Sequence, residues 1–155
     1  MGSDGRIITC DMVENKINVL SPDGKNLLQS FRSLGCDGMP WCVVYHQDKF
    51  FVSYSENHRV VVFNNEGEYV YDIGSEGSGD GQLRFPIGLA IDKFDRVIVC
   101  DGGNGRLQLF TLDGKYITKI AGKFLHPGKL FRCALSNAGN LFVTAYEKNC
   151  IYVFN

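Results

Sequence analysis

Six cysteines and three histidines are the residues of this chain most able to do chemistry, and their spacing limits what that chemistry is. Cys36 and Cys42 lie around Pro40 with five residues between them, not the two of a zinc knuckle or a dithiol redox pair. Cys10 and Cys100 occupy matching contexts, Thr9-Cys10-Asp11 and Val99-Cys100-Asp101, while Cys133 and Cys150 lie in strand-like runs. Such settings suit small buried apolar residues, so the cysteines are read as reduced structural thiols. His46 precedes a tight turn, His58 sits at a repeated position and His126 in a connection, so nothing gathers them, and they are read as surface histidines. No Gly-x-Ser-x-Gly elbow occurs, and the glycine-rich run 74–81 leads into no helix, which argues against a phosphate loop. The expectation is no catalytic residue, no metal and no cofactor.

The elements that position these residues repeat. Asn15-Lys16-Ile17-Asn18-Val19-Leu20, Asn57-His58-Arg59-Val60-Val61-Val62-Phe63, Asn104-Gly105-Arg106-Leu107-Gln108-Leu109-Phe110 and Asn149-Cys150-Ile151-Tyr152-Val153-Phe154 are versions of one segment, spaced 42, 47 and 45 residues apart. A period in the forties with β-branched and aromatic runs in each unit points to propeller blades. The third unit is clearest. Leu89–Ile91 and Arg96–Cys100 are strands around an Asp92–Asp95 turn, Asp101–Gly105 is a reversal, and Arg106–Phe110 alternates as a strand. Asp113-Gly114 then supplies a hairpin signal before Tyr116–Ile120. The first unit begins at its second strand and the fourth stops before its outer one. The count is therefore 14 strands, as 3 + 4 + 4 + 3, or about three and a half four-stranded antiparallel blades of an incomplete ring. The blades are expected at about 5–32 (partial), 41–74, 87–121 and 132–155 (partial).

Composition agrees with an all-β domain that has a real core: 155 residues, 45% hydrophobic and 21% charged. A formal charge of −1 provides no overall attraction to nucleic acid or an anionic membrane. No apolar run approaches the roughly 18 residues of a membrane helix, so no membrane association is expected. The start, Met1-Gly2-Ser3-Asp4-Gly5-Arg6, lacks the basic-then-apolar layout of a signal peptide, and a cytoplasmic location is expected.

Phe85-Pro86-Ile87-Gly88-Leu89-Ala90-Ile91-Asp92, followed by Val97–Phe110 and Asp113-Gly114-Lys115, resembles the NHL repeat, as does Asn57-His58-Arg59. Gly74–Leu83 resembles the glycine-rich link between NHL blades. The likeness spans nearly the whole chain and is strongest over 57–122; no Trp-Asp dipeptide or Gly-His pair of a WD40 unit occurs. The resemblance implies a β-propeller of NHL type, as found in tripartite-motif ubiquitin ligases, where the propeller binds protein or RNA while a RING domain does the chemistry. No CxxC pair is present, so no RING or B-box is expected in these residues.

An antiparallel meander sends the second-to-third loops and the interblade links to one face. That face carries the candidate binding residues Arg59, Arg84, Arg106, Lys123, Phe124, His126 and Lys129, with Arg132 close in sequence, diluted by Glu14, Glu56, Glu76, Asp80 and Glu147. The opposite face is more acidic, with Asp23, Glu66, Asp92, Asp95 and Asp113. Between Asp113 and Glu147 stand Lys115, Lys119, Lys123, Lys129 and Arg132 and no acid, a candidate platform for single-stranded RNA with Phe124, Phe131 and Tyr116. The leading expectation is a noncatalytic protein-interaction module serving substrate recognition in ubiquitination. A single-stranded RNA-binding module is the alternative, and a propeller hydrolase or lyase comes third. The open ends of the ring favour a truncated chain over a designed half-ring and leave self-association through propeller edges possible.

Overall fold

The computed structural model describes residues 5–35, 38–120, 130–146 and 149–155, and structural statements concern these alone. They form fourteen strands. β1 (Ile7–Asp11), β2 (Lys16–Leu20) and β3 (Leu27–Phe31) make the first sheet, and β4 (Pro40–His46), β5 (Lys49–Tyr54), β6 (Arg59–Asn64) and β7 (Tyr69–Ile73) the second. β8 (Pro86–Ile91), β9 (Arg96–Asp101), β10 (Arg106–Thr111) and β11 (Tyr116–Ile120) make the third, and β12 (Leu130–Leu135), β13 (Leu141–Ala145) and β14 (Cys150–Phe154) the fourth. Every pairing is between sequence neighbours and antiparallel. The architecture is all-β, in successive three- and four-stranded propeller sheets left open at both ends.

The turns follow from their residues. Gly24, Gly67, Gly114 and Gly139 each donate their N–H to the carbonyl three residues back, closing tight turns at positive φ. Asp92 receives the N–H groups of Phe94 and Arg96 on its carboxylate, which forms the β8–β9 turn. Between β9 and β10 the expected reversal is one 3-10 turn, Gly102–Asn104, ended by Gly105 at φ 60°.

Register corrects the repeat frame. Asp11 faces Lys16, Tyr54 faces Arg59, Asp101 faces Arg106 and Ala145 faces Cys150. The equivalent left-handed residues are therefore Asn15, His58, Gly105 and Asn149, with φ of 52°, 56°, 60° and 47°. Asn57 and Asn104 stand one place earlier. The four asparagines that mark the repeat do not share one structural position, because a left-handed residue accepts Asn, Gly or, with strain, His. The segment Phe85–Gly88 also departs from a simple turn: Phe85 bends the chain at φ 48°, but Pro86 already begins β8, with a bulge before Leu89.

Alternation gives the second and third sheets two buried apolar faces and the first and fourth one each, and the sheets stack through them. Ile17 and Val19 of the first sheet meet Phe50, Val52, Tyr54, Val61 and Phe63 of the second. The other face of the second sheet (Phe51, Val60, Val62) meets Leu89, Val97, Val99 and Phe110 of the third, with Leu83 of the link sealed between them. Ala90, Ile98, Cys100, Leu107 and Leu109 then meet Leu141 and Val143 of the fourth. The inner strands approach most closely at Gly88, where a Cβ would lie 2.8 Å from the Arg132 Cα and the Cys133 nitrogen. Gly35, with nothing within 4 Å of such a Cβ, is the matching control. Gly88→Ala should lower unfolding free energy by about 1–3 kcal/mol and Gly35→Ala by much less, read from urea unfolding. Equal losses would show that the β8–β12 approach is not tight.

Candidate interaction face

The face built by the second-to-third loops and the link 74–85 is organised around one carboxylate. Asp101 ends β9 with no exposed side-chain surface, and Arg106, opposite it on β10, donates from Nε to Oδ2 at 2.7 Å. Asn104 Nδ2 lies 2.9 Å from Oδ2 and Gln108 Nε2 3.2 Å, while the Arg84 N–H reaches Oδ1 at 2.7 Å. The same side chains grip the link. Arg106 Nη2 donates to the carbonyls of Gly79 (2.6 Å) and Gln82 (2.8 Å). Gln108 donates to the Gln82 carbonyl and accepts from the Gly81 N–H, and Asn104 donates to the Gly77 carbonyl. Gly102 and Gly103 donate back to the carbonyls of Phe85 and Arg84. The glycine-rich link is thus held along its backbone.

Arg106, only 8% exposed, ties β10 to Asp101 and to the link. Arg59 is a half-exposed tie, with Nη1 2.8 Å from Asp72 Oδ2 and Nε on the Asn57 carbonyl. Arg84 is exposed, beside Phe85, which is 47% exposed at its positive φ. The His58 ring holds Phe85 in place. Its Nδ1 accepts the Phe85 N–H at 3.1 Å, and the rings meet edge-on at 4.6 Å. Glu76 lies 3.7 Å from His58 Nε2. His58 is therefore a positioning group rather than an isolated surface histidine. Lys123, Phe124, His126 and Lys129 lie outside the described residues. Arg132 belongs to inner strand β12, with its backbone against Gly88 and its charge near Cys10 and Cys42.

Three features of the remainder were not legible in the sequence. His46 also has a partner, since its Nε2 lies 2.7 Å from Asp95 Oδ1, and Gln47 shares that carboxylate. Beside Asp95, Phe94 is 65% exposed under Lys93 and Arg96, next to a cavity of about 530 Å³ whose apolar walls include Ile98, Leu109, Leu135 and Leu141. Four cysteines from four different sheets also influence one another. Burial, then the neighbouring Cys42, pushes the Cys10 thiol up to about 12. Burial likewise raises Cys42, and a thiol hydrogen bond with Cys133, then burial, raises Cys100. The raised thiols of Cys10, Cys42 and Cys100 are disfavoured as thiolates and so are weak nucleophiles. Among the described residues, no three His, Cys, Asp or Glu side chains form a group able to hold a metal.

A family described as 6-bladed beta-propeller matches residues 39–150. The chain belongs to that family. Among curated relatives, Caenorhabditis elegans Protein lin-41 is 48% identical over 50 residues, covering 32% of this chain and 4% of the relative. Drosophila melanogaster Protein brain tumor is 30% identical over 112 residues, covering 70% and 10%. Rattus norvegicus E3 ubiquitin-protein ligase TRIM71 is 43% identical over 47 residues, covering 30% and 6%. The chain thus matches a tenth or less of the length of each, and these NHL-repeat proteins agree with the resemblance read from the repeats. Among solved structures, a virginiamycin B lyase from Staphylococcus aureus aligns over 100% of this chain and 53% of its own at a TM-score of 0.74 and 14% identity. The computationally designed Ika4 protein aligns over 98% and 86% at 0.68 and 12%. At such identities the likeness is one of fold alone. No helix among the described residues is long and apolar enough to cross a membrane.

Two outcomes test the electrostatics. Asp101→Ala strands the buried Arg106 and Gln108 donors and should cost about 3–5 kcal/mol in urea unfolding, against well under about 1 for Asp80→Ala, which breaks only the exposed pair with Lys119. Similar losses for the two would refute the role given to Asp101. Burial favours the neutral form of Asp92, but Arg96 and backbone N–H donors outweigh it and hold the carboxyl below the usual carboxylate range. A carboxyl depressed in the folded state contributes stability above its unfolded value of about 3.9, and that contribution disappears as pH falls through the folded value. Asp92→Asn should therefore lower stability at neutral pH and flatten its decline on acidification, measured as melting temperature against pH.

Proposed function

We propose that this propeller is a noncatalytic interaction module whose partner is a protein, engaged on the link-and-loop face around Phe85. The observation that carries this reading is a half-exposed phenylalanine at positive φ, backed by His58 and flanked by exposed Arg84 on a link whose backbone is clamped by Asp101, Arg106 and Gln108. A rigid aromatic anchor beside an arginine is the chemistry of an interface hot spot, because little side-chain freedom is lost when it docks. Local charge is mixed, with Glu76 at His58 and Asp80 paired to Lys119, which suits a protein better than a polyanion. The proposed setting is substrate recognition in ubiquitination in the cytoplasm, with the ligase chemistry in a RING domain elsewhere. The named E3 ubiquitin-protein ligase among the relatives supports that setting.

Single-stranded RNA is the second reading. It rests on the acid-free stretch from Lys115 to Arg132, with Lys123, Phe124, His126 and Lys129 as contacts. Lys115 and Lys119 are paired with Asp113 and Asp80, which reduces the charge available to phosphates. The test is affinity capture on immobilised chain with proteins and RNA identified together, comparing wild type with Arg84→Glu/Phe85→Ala and with Lys123→Glu/Lys129→Glu. The proposal expects proteins retained by the wild type and depleted at least about tenfold by the Phe85 variant. RNA retained in a salt-dependent manner, and lost only in the lysine variant, would overturn it in favour of the second reading.

A further inference from the structure

The seat that holds the 74–85 link on the third sheet is repeated on the second, where a groove takes the place of the link. Strand register makes Arg59, Tyr69 and Asp72 the equivalents of Arg106, Tyr116 and Lys119. Val61 faces Asp72 as Gln108 faces Lys119, and Phe63 faces Tyr69 as Phe110 faces Tyr116. On the third sheet all three residues meet positions 79–82 of the link. Arg106 holds the carbonyls of Gly79 and Gln82, and Lys119 lies 3.3 Å from Asp80. A Cβ at Gly81 would lie 3.3 Å from the Tyr116 Cβ.

The connection that arrives at the second sheet is shorter. β3 ends at Phe31 and β4 begins at Pro40, so eight residues (32–39) run here where twelve (74–85) run between β7 and β8. Leu83 of the longer link is buried, whereas Leu34 of the shorter one is 94% exposed. Beside it lies a groove of about 470 Å³, lined by Ser33, Leu34 and Gly35 of the link and by Arg59, Tyr69 and Asp72 of the sheet. Tyr69 is 60% exposed there. Asp72 accepts from Arg59 Nη1 on Oδ2 at 2.8 Å, and no hydrogen bond among the described residues uses its Oδ1.

We infer that this groove is a docking site for an extended segment of a partner protein in which a lysine or arginine stands between glycines, the chemistry of Gly79–Gln82 with its charge reversed. The seat itself chooses the occupant. Glycine suits the point where the chain passes the tyrosine, because a side chain at Gly81 would already be tight against Tyr116. At the position that meets the residue between the glycines, a carboxylate replaces an ammonium, Asp72 for Lys119. The residue in the place of Asp80 is therefore a cation. The exposed Tyr69 ring offers that cation a second contact through its π face. The groove shares no residue with the site around Phe85 and stands or falls independently of the function proposed above.

The probe is a fluorescent, end-capped synthetic peptide of residues 77–83 carrying Asp80→Lys, titrated into the full 155-residue protein. Saturable one-to-one binding is expected, with the unsubstituted peptide at least about tenfold weaker. Asp72→Lys in the protein should reverse that preference, while the melting temperature stays close to wild type because the Arg59–Asp72 pair is partly exposed. Tyr69→Ala, at an exposed ring, should weaken the substituted peptide at least about fivefold. No saturable binding, equal binding of the two peptides, an unchanged preference in Asp72→Lys or undiminished binding in Tyr69→Ala would each overturn the inference. So would a wild-type preference for the unsubstituted peptide, which would assign the groove to an acidic segment.

Discussion

A buried carboxylate with no exposed surface must be surrounded by donors, and at Asp101 that requirement organises the loop face of the third sheet. Its donors come from β10, from the 3-10 turn and from the link, so satisfying one charge brings three separate stretches of chain together. Arg106 and Gln108 then use their remaining hydrogen-bonding capacity on the link backbone. The link gains a fixed path without side chains of its own, and Leu83 is carried into the layer between the second and third sheets. Removing the charge would loosen the loop, the link and part of the apolar core together.

The same constraint separates ties from surfaces. Arg106, Arg59, His58 and His46 would all be read from composition as available polar residues, yet each is used to hold one segment against another. Among the groups left outward after those ties are made are Phe85 and Arg84 on one face and Phe94 with Lys93 on the other. A scaffold whose polar side chains are mostly committed internally presents rigid anchors, and rigid anchors lose little freedom on binding. The clustered thiols of Cys10, Cys42 and Cys100 are all pushed toward the protonated form.

Strand existence, strand order and blade number were legible from residue order because they depend on local information. Alternation in Arg106–Phe110, the hairpin turns ending at Gly24, Gly67 and Gly114, and a period in the forties each operate within a few residues of themselves. The fourteen strands and their nearest-neighbour pairing follow from those signals. The one-residue error in the asparagine frame has a local cause too. Asn57 and Asn104 sit beside the left-handed residue, while Asn15 and Asn149 occupy it, and letters alone do not report φ.

What only the tertiary structure decided is which side chains are spent on packing the sheets and which remain for a partner. Arg84 and Arg106 are both arginines of one loop face in sequence, but one is exposed and the other closes on a carboxylate five residues away and a link more than twenty residues away. Cys10, Cys42, Cys100 and Cys133 are far apart along the chain and become neighbours only when the four sheets stack. Periodicity along a chain determines what each element is; the distances between elements, and so the balance of burial and hydrogen bonding at each polar group, are set by how the sheets stack.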